Sequence, residues 1–165
     1  MKGIRFLIVC ILVFSVSLLF ASCSVSNYSR DYECAKLTDE LIDTVLTEQE
    51  YSAYLDYDLK YIIKDSSLFD SYSVIYSSSS DDVSEVGILR AKSKESLQEL
   101  LNQATEYIEE LKKEKRTFVE NYLPEELEKI NSAKARCIGN YVVFTVLESE
   151  KSESVFSHLE ALLSS

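Results

Sequence analysis

Apolar residues recur at changing periods along this chain, and the period divides it into elements. Leu37, Leu41, Ile42, Val45 and Leu46 return at helical spacing behind Thr38, a candidate N-cap, and predict a first amphipathic helix. From Glu48 to Lys64 the pattern is mixed. Tyr51, Tyr54, Leu55, Tyr61 and Ile62 can share one helical face, but Asp56 and Asp58 interrupt it, and short helical turns are expected. Tyr72, Val74 and Tyr76 then alternate with Ser73, Ile75 and Ser77, while Glu85 to Lys92 holds Val86, Ile88 and Leu89. Both runs have the length and residue types of strands, and the polar stretch Ser78 to Asp82 joins them as a hairpin loop.

Behind Ser93, a capping residue, Leu97, Leu101, Ala104, Ile108, Leu111, Lys115, Phe118 and Tyr122 follow alternating steps of four and three. They mark the seam of a long helix from about Lys94 to Tyr122, with Lys115 as its one polar interruption. Opposite charges from Glu109 to Arg116 at i,i+3 and i,i+4 spacing describe a solvated face. Pro124 with Glu125 and Glu126 suits a helix start, so Leu123 marks a break before a second, short helix. Gly139 and Asn140 separate Lys134 to Ile138 from Tyr141 to Leu147, the signal of a two-residue hairpin with Gly first in a type II′ turn. Pairing Ile138 with Tyr141 places Ala135, Cys137, Val142, Phe144 and Val146 on one apolar face. A last amphipathic helix follows Ser152 through Val155, Phe156, Leu159, Leu162 and Leu163. The expected fold is α+β in the order αββαββα: a four-stranded, mainly antiparallel sheet with helices packed on it.

The first 22 residues stand apart. Lys2 and Arg5 precede the run Phe6 to Phe20, broken by Ser15 and Ser17, and small residues follow. The run is short for a membrane span, which needs about 20 residues, and reads as a cleaved export signal. Leu19, Phe20, Ala21, Ser22 and Cys23 resemble the bacterial lipoprotein box. That resemblance implies cleavage between Ser22 and Cys23 and lipidation of Cys23, and so a location at the cell membrane, lipid-anchored and facing the extracytoplasmic side. Ser24 to Glu33 is polar and lacks periodicity. The expected organisation is a signal peptide over 1–22, a lipidated N-terminus and flexible tether over 23–35, and a single α+β domain over 36–165.

Charge narrows the partners. Seventeen basic against 28 acidic side chains give the chain a net charge of −11; without residues 1–22 it has 143 residues and, with 15 basic side chains left, a charge of −13. Such an acidic surface repels phosphate, which excludes nucleic acid and leaves membrane contact to the lipid anchor. Three scattered glycines, Gly3, Gly87 and Gly139, cannot form a phosphate-cradling loop.

Candidate chemistry is sparse. His158 is the sole histidine, which excludes a multi-histidine zinc site, and its place flanking the last helical stripe is that of a surface residue. Asp56 and Asp58 open a calcium-loop spacing that Lys60, Tyr61 and Ser67 then break. Asp81, Asp82 and Glu85 form an acidic loop read as solvated surface, so no metal, cofactor or catalytic residue is assigned. Cys34 and Cys137 are the two cysteines left for a bridge, and the sequence leaves bridged and unbridged forms open. Tyr51, Tyr54, Tyr57 and Tyr61 join apolar rings to hydrogen-bonding tips and suit either core packing or a binding surface.

The strands Tyr72 to Tyr76 and Glu85 to Lys92, the stretch Phe118, Tyr122, Leu123, Pro124, Glu125 and Glu126, and then Gly139, Tyr141 and Val142 together resemble the bacterial lipoproteins of domain of unknown function 4358. The resemblance runs from about Asp58 to Leu162. It implies an exported, lipid-anchored protein, common in Gram-positive bacteria, and brings no reaction or ligand with it. The chain departs from that group in its Tyr-rich Glu50 to Tyr61 segment and its longer Ser78 to Asp82 loop. The function expected is a non-catalytic binding or interaction module at the cell envelope, with an envelope protein, peptide or glycan as partner. The alternative is an envelope enzyme with an unrecognised carboxylate site.

Overall fold

The computed structural model describes residues 31–164. The signal peptide, the cleavage point and Cys23 lie outside the described residues. Four helices surround one sheet of five strands: α1 (Cys34–Thr44), β1 (Tyr51–Ala53), β2 (Phe69–Ser77), β3 (Glu85–Ala91), α2 (Lys94–Tyr122), α3 (Leu127–Ser132), β4 (Lys134–Ile138), β5 (Tyr141–Val146) and α4 (Ser149–Ser164). The strand order is β1-β2-β3-β5-β4, with every pairing antiparallel.

Both expected hairpins form. In the second, Ile138 pairs with Tyr141, Cys137 with Val142 and Ala135 with Phe144. Gly139 takes φ 61 while Asn140 stays at negative φ, as a type II′ turn requires. The long helix spans the expected residues, and the Ser93 hydroxyl accepts from the Ser96 N–H at its start.

The sheet has five strands rather than four, because Tyr51–Ala53, expected as helical turns, pairs with Ser77, Tyr76 and Ile75 along the edge of β2. Three residues are too few to reveal a period of two. It is also covered on both sides. On one face α2 and the segment 59–63 pack Leu59, Ile62, Leu97, Leu100, Ala104, Ile108 and Leu111 over Val74, Leu89, Val142 and Phe144. On the other, α1 and α4 pack Leu37, Leu41, Val155, Phe156 and Leu159 over Ile75, Val86, Ile88 and Val143. The result is three layers. Two-sided burial explains the unbroken apolar runs of the inner strands: every residue of β5 is buried, and all of β3 except Arg90.

Helix starts also move. Helix α1 begins at Cys34, inside the span 23–35 expected as tether, where the Cys34 N–H donates to the Ser71 hydroxyl at 3.0 Å. Thr38 therefore lies within the helix, bonding the Ala35 carbonyl and the Ser73 hydroxyl instead of capping. Helix α4 begins at Ser149, so Ser152 is an interior, buried residue bonded to the Thr145 hydroxyl. The residues just before α1 are held as well. The buried Tyr141 hydroxyl donates to the Tyr32 carbonyl at 2.9 Å, and Arg90 reaches that carbonyl, Glu33 and Asp70.

Candidate functional site

The Tyr-rich segment leaves the sheet edge after β1 and is fixed at both ends. At its start the Tyr54 N–H donates to the Val74 carbonyl at 2.9 Å, and the Tyr54 ring meets Tyr76 edge-on with centroids 5.0 Å apart. At its end Leu59, Ile62 and Ile63 are buried under α2, and the Lys64 N–H donates to Gln103 at 2.9 Å. Between these anchors the chain turns outward. Leu55, Tyr57 and Tyr61 are 56%, 65% and 68% exposed, large fractions for such side chains. Tyr51 and Tyr54 pack against the protein, so the four tyrosines split into an inner and an outer pair. The expected common face of Tyr51, Tyr54 and Tyr61 does not form, because the backbone there is strand and then a short 3₁₀ turn (Leu59–Tyr61).

Beneath Tyr54 lies the most unusual carboxylate among the described residues. Glu85 opens β3 with its side chain toward α2 and is 3% exposed. The Tyr107 hydroxyl donates to both of its oxygens, at 2.9 and 3.0 Å, and Tyr54 approaches at 3.4 Å. Desolvation pushes the Glu85 carboxyl up to about 7, opposed by the Tyr107 and Tyr54 hydroxyls and by the field of Lys115. Lys115, the polar break in the α2 seam, is exposed and acts on Glu85 only through its field. Burial and the Glu85 charge in turn push both phenols well up, so they act as donors.

A second polar cluster lies at the end of the sheet where β3 begins. The Lys129 ammonium, with 8% of its side chain exposed, faces Glu126 at 2.8 Å, Asp82 at 3.1 Å and Glu148 at 3.5 Å. Burial pulls the Lys129 pKa down, but its hydrogen bonds to Glu126 and Asp82 outweigh that and leave it raised. Glu126 also accepts from the Val83 N–H, and Asp82 from the Ser84 N–H.

The acidic loop read as surface is thus dispersed: Asp81 accepts from Ser79, Asp82 turns to Lys129, and Glu85 turns into the core. No group of three potential metal ligands converges among the described residues. Asp56 accepts from the Tyr72 hydroxyl. His158 is a partly exposed residue of α4, 3.6 Å from Glu40 and 3.5 Å from the Thr44 hydroxyl. Cys34 and Cys137 pack against opposite faces of the sheet and no disulfide joins them. Burial pushes the Cys34 thiol up to about 11, well away from thiolate chemistry.

Sequence reasoning missed Glu85 and Lys129. Each had a weak signal: Glu85 directly precedes an apolar strand, and Lys129 follows Glu126 at i,i+3 on a short helix.

Over the described residues the chain is a mixed α/β protein built on one five-stranded antiparallel sheet and four helices. Residues 56–147 match the family described as Domain of unknown function (DUF4358), and the chain belongs to that family. The match runs from within the Tyr-rich segment to the end of β5, leaving α1, β1 and α4 outside it. No curated protein and no solved structure matches the chain. Among the described residues no helix is long and apolar enough to cross a membrane.

Proposed function

We propose that this protein is a lipid-anchored, extracytoplasmic interaction module. Signal cleavage between Ser22 and Cys23 frees a cysteine whose acyl chains hold the domain at the cell membrane. The outward strip Leu55, Tyr57 and Tyr61 binds an envelope protein, peptide or glycan. The observation that carries this reading is the strip itself: three large side chains held outward on a segment fixed at both ends, available without a costly rearrangement. The anchoring geometry agrees with it. Asp31 is bonded to Asn140 and lies eight residues beyond Cys23, so the domain stands within about 28 Å of its lipid.

The catalytic alternative is supported less well. Two buried acids converging in one cleft would favour it, but Glu85 is covered by tyrosines and Glu126 is paired with Lys129. The test combines Tyr57→Ser and Tyr61→Ser in the full chain, followed by crosslinking in the native envelope. Loss of a reproducible crosslinked partner with unchanged membrane retention is expected. A partner retained by the double variant removes the strip from the reading, and continued membrane retention of Cys23→Ala removes the anchor.

A further inference from the structure

Strand β1 is the last strand on its side of the sheet, and among the described residues no strand pairs with its outer edge. The Ser78 N–H donates to the Glu50 carbonyl and the Tyr54 N–H to the Val74 carbonyl, both at 2.9 Å, so the ladder with β2 runs from Glu50 to Tyr54. An antiparallel ladder alternates: Glu50, Ser52 and Tyr54 direct their backbone groups at β2, and Tyr51 and Ala53 turn theirs the other way. Ala53 is exposed, and neither residue has another backbone partner among the described residues.

A row of open backbone donors and acceptors is complementary to an extended chain. Two features select which chain. Leu55 and Tyr57, directly beyond the ladder, are outward and offer apolar surface to the side chains of an added strand. Acids stand at both ends of the edge, Glu48 and Glu50 before it and Asp56 and Asp58 after it. Lys151 faces Glu48 at 3.2 Å and Lys60 lies over the Tyr61 ring, while Asp56 accepts from the Tyr72 hydroxyl and keeps its charge. The flanks are therefore negative, and basic residues complement them. A second copy is the wrong occupant. Antiparallel pairing of two β1 edges about Ser52 sets Glu48 against Asp56; pairing about Ala53 sets Glu50 against Asp56 and Glu48 against Asp58. Like charges meet in either register.

We propose that the outer edge of β1 takes an extended peptide as a sixth, antiparallel strand, with Lys or Arg at its two ends against Glu50 and Asp56. Its backbone bonds Tyr51 and Ala53, and its side chains rest on Leu55 and Tyr57. This deepens the proposed function by narrowing its partner to a peptide segment, and rests on that reading for the contacts at Leu55 and Tyr57.

The test is fluorescence anisotropy of a labelled, end-blocked peptide Lys-Thr-Val-Thr-Val-Thr-Lys, titrated with the full chain in detergent micelles. One control is the same peptide N-methylated at its threonines, which face Tyr51, Ala53 and Leu55 in this register. The other has Glu in place of both lysines. Saturable binding of the lysine-flanked peptide is expected, with both controls weaker by about tenfold or more. Amide exchange at Tyr51 and Ala53 slows in the complex. Ala53→Pro removes an outward N–H at a position where an edge strand accepts proline, so it abolishes binding and leaves the ladder with β2 intact. Glu50→Lys weakens the lysine-flanked peptide and strengthens the glutamate-flanked one. The proposal is overturned by no saturable binding of the lysine-flanked peptide, by equal binding of either control, or by full affinity in a folded Ala53→Pro protein. Tyr57→Ser with Tyr61→Ser separates the two readings. Binding lost in Ala53→Pro but unchanged in that pair keeps the edge and removes the strip, and the reverse keeps the strip and removes the edge.

Discussion

Glu85 ties the chemistry of one side chain to the stability of the core. Its carboxyl titrates near 7 in the folded protein against about 4.5 in the open chain, so the folded state holds the proton more tightly. The stabilisation this gives is complete below the unfolded value and is lost as pH rises from about 4.5 through 7, roughly 3 kcal/mol in all. Urea unfolding at a series of pH values should show this decline, and Glu85→Gln should flatten it; an unchanged slope in the variant assigns the decline to other groups. Gly87, two residues on, has a purely steric role. A Cβ there would lie 2.0 Å from the Phe144 ring, which itself packs edge-on against Tyr107 with centroids 5.5 Å apart. Gly87→Ala should cost about 1–3 kcal/mol by displacing that buried ring, read as a lower denaturation midpoint. Neither role was legible in sequence. A strand-leading Glu and a strand Gly look ordinary until the partner strand and α2 are laid over them.

At the level of elements, α2 shows how far a periodic pattern carries. Its limits and its seam through Leu97, Ala104, Ile108 and Leu111 follow from spacing alone, because one stripe of apolar residues must meet one sheet face. The pattern fails in the last turns. Phe118 and Tyr122 are 55% and 72% exposed, while Val119, off the expected seam, is fully buried. At 29 residues the helix is about 43 Å long, and β3 at seven residues about 23 Å, so its C-terminal end outruns the sheet and packs by a different face. Phe118→Ala should therefore change stability by no more than about 0.5 kcal/mol, and Val119→Ala should cost about 2 kcal/mol. Equal losses in the two variants place Phe118 in the core after all. The edge strand β1 was missed for the complementary reason: its partner is β2, and three residues without that partner carry no pattern.

Across the whole molecule, Lys129 fastens three separate parts of the chain: the loop before β3 through Asp82, α3 through Glu126, and the entry to α4 through Glu148. Lys129→Ala leaves two mostly buried carboxylates without their cation, a loss of about 3–5 kcal/mol that should appear in thermal unfolding; Lys129→Arg should recover part of it. A loss below about 1 kcal/mol makes the network a solvated one. The sequence by itself determined the elements whose cause is local: the hairpin at Gly139, the cap at Ser93, the span of α2 and the separate character of residues 1–22. Tertiary structure alone decided the fifth strand, the burial of the sheet on both faces, the separation of Cys34 from Cys137, and the meeting of Glu85 with Tyr54 and Tyr107 and of Lys129 with its acids. Among the polar contacts of Glu85 and Lys129, the partners lie up to 47 positions apart, as for Lys129 and Asp82. Such pairs have no spacing to read: the sheet order brings them together, and desolvation on arrival sets their charge and role.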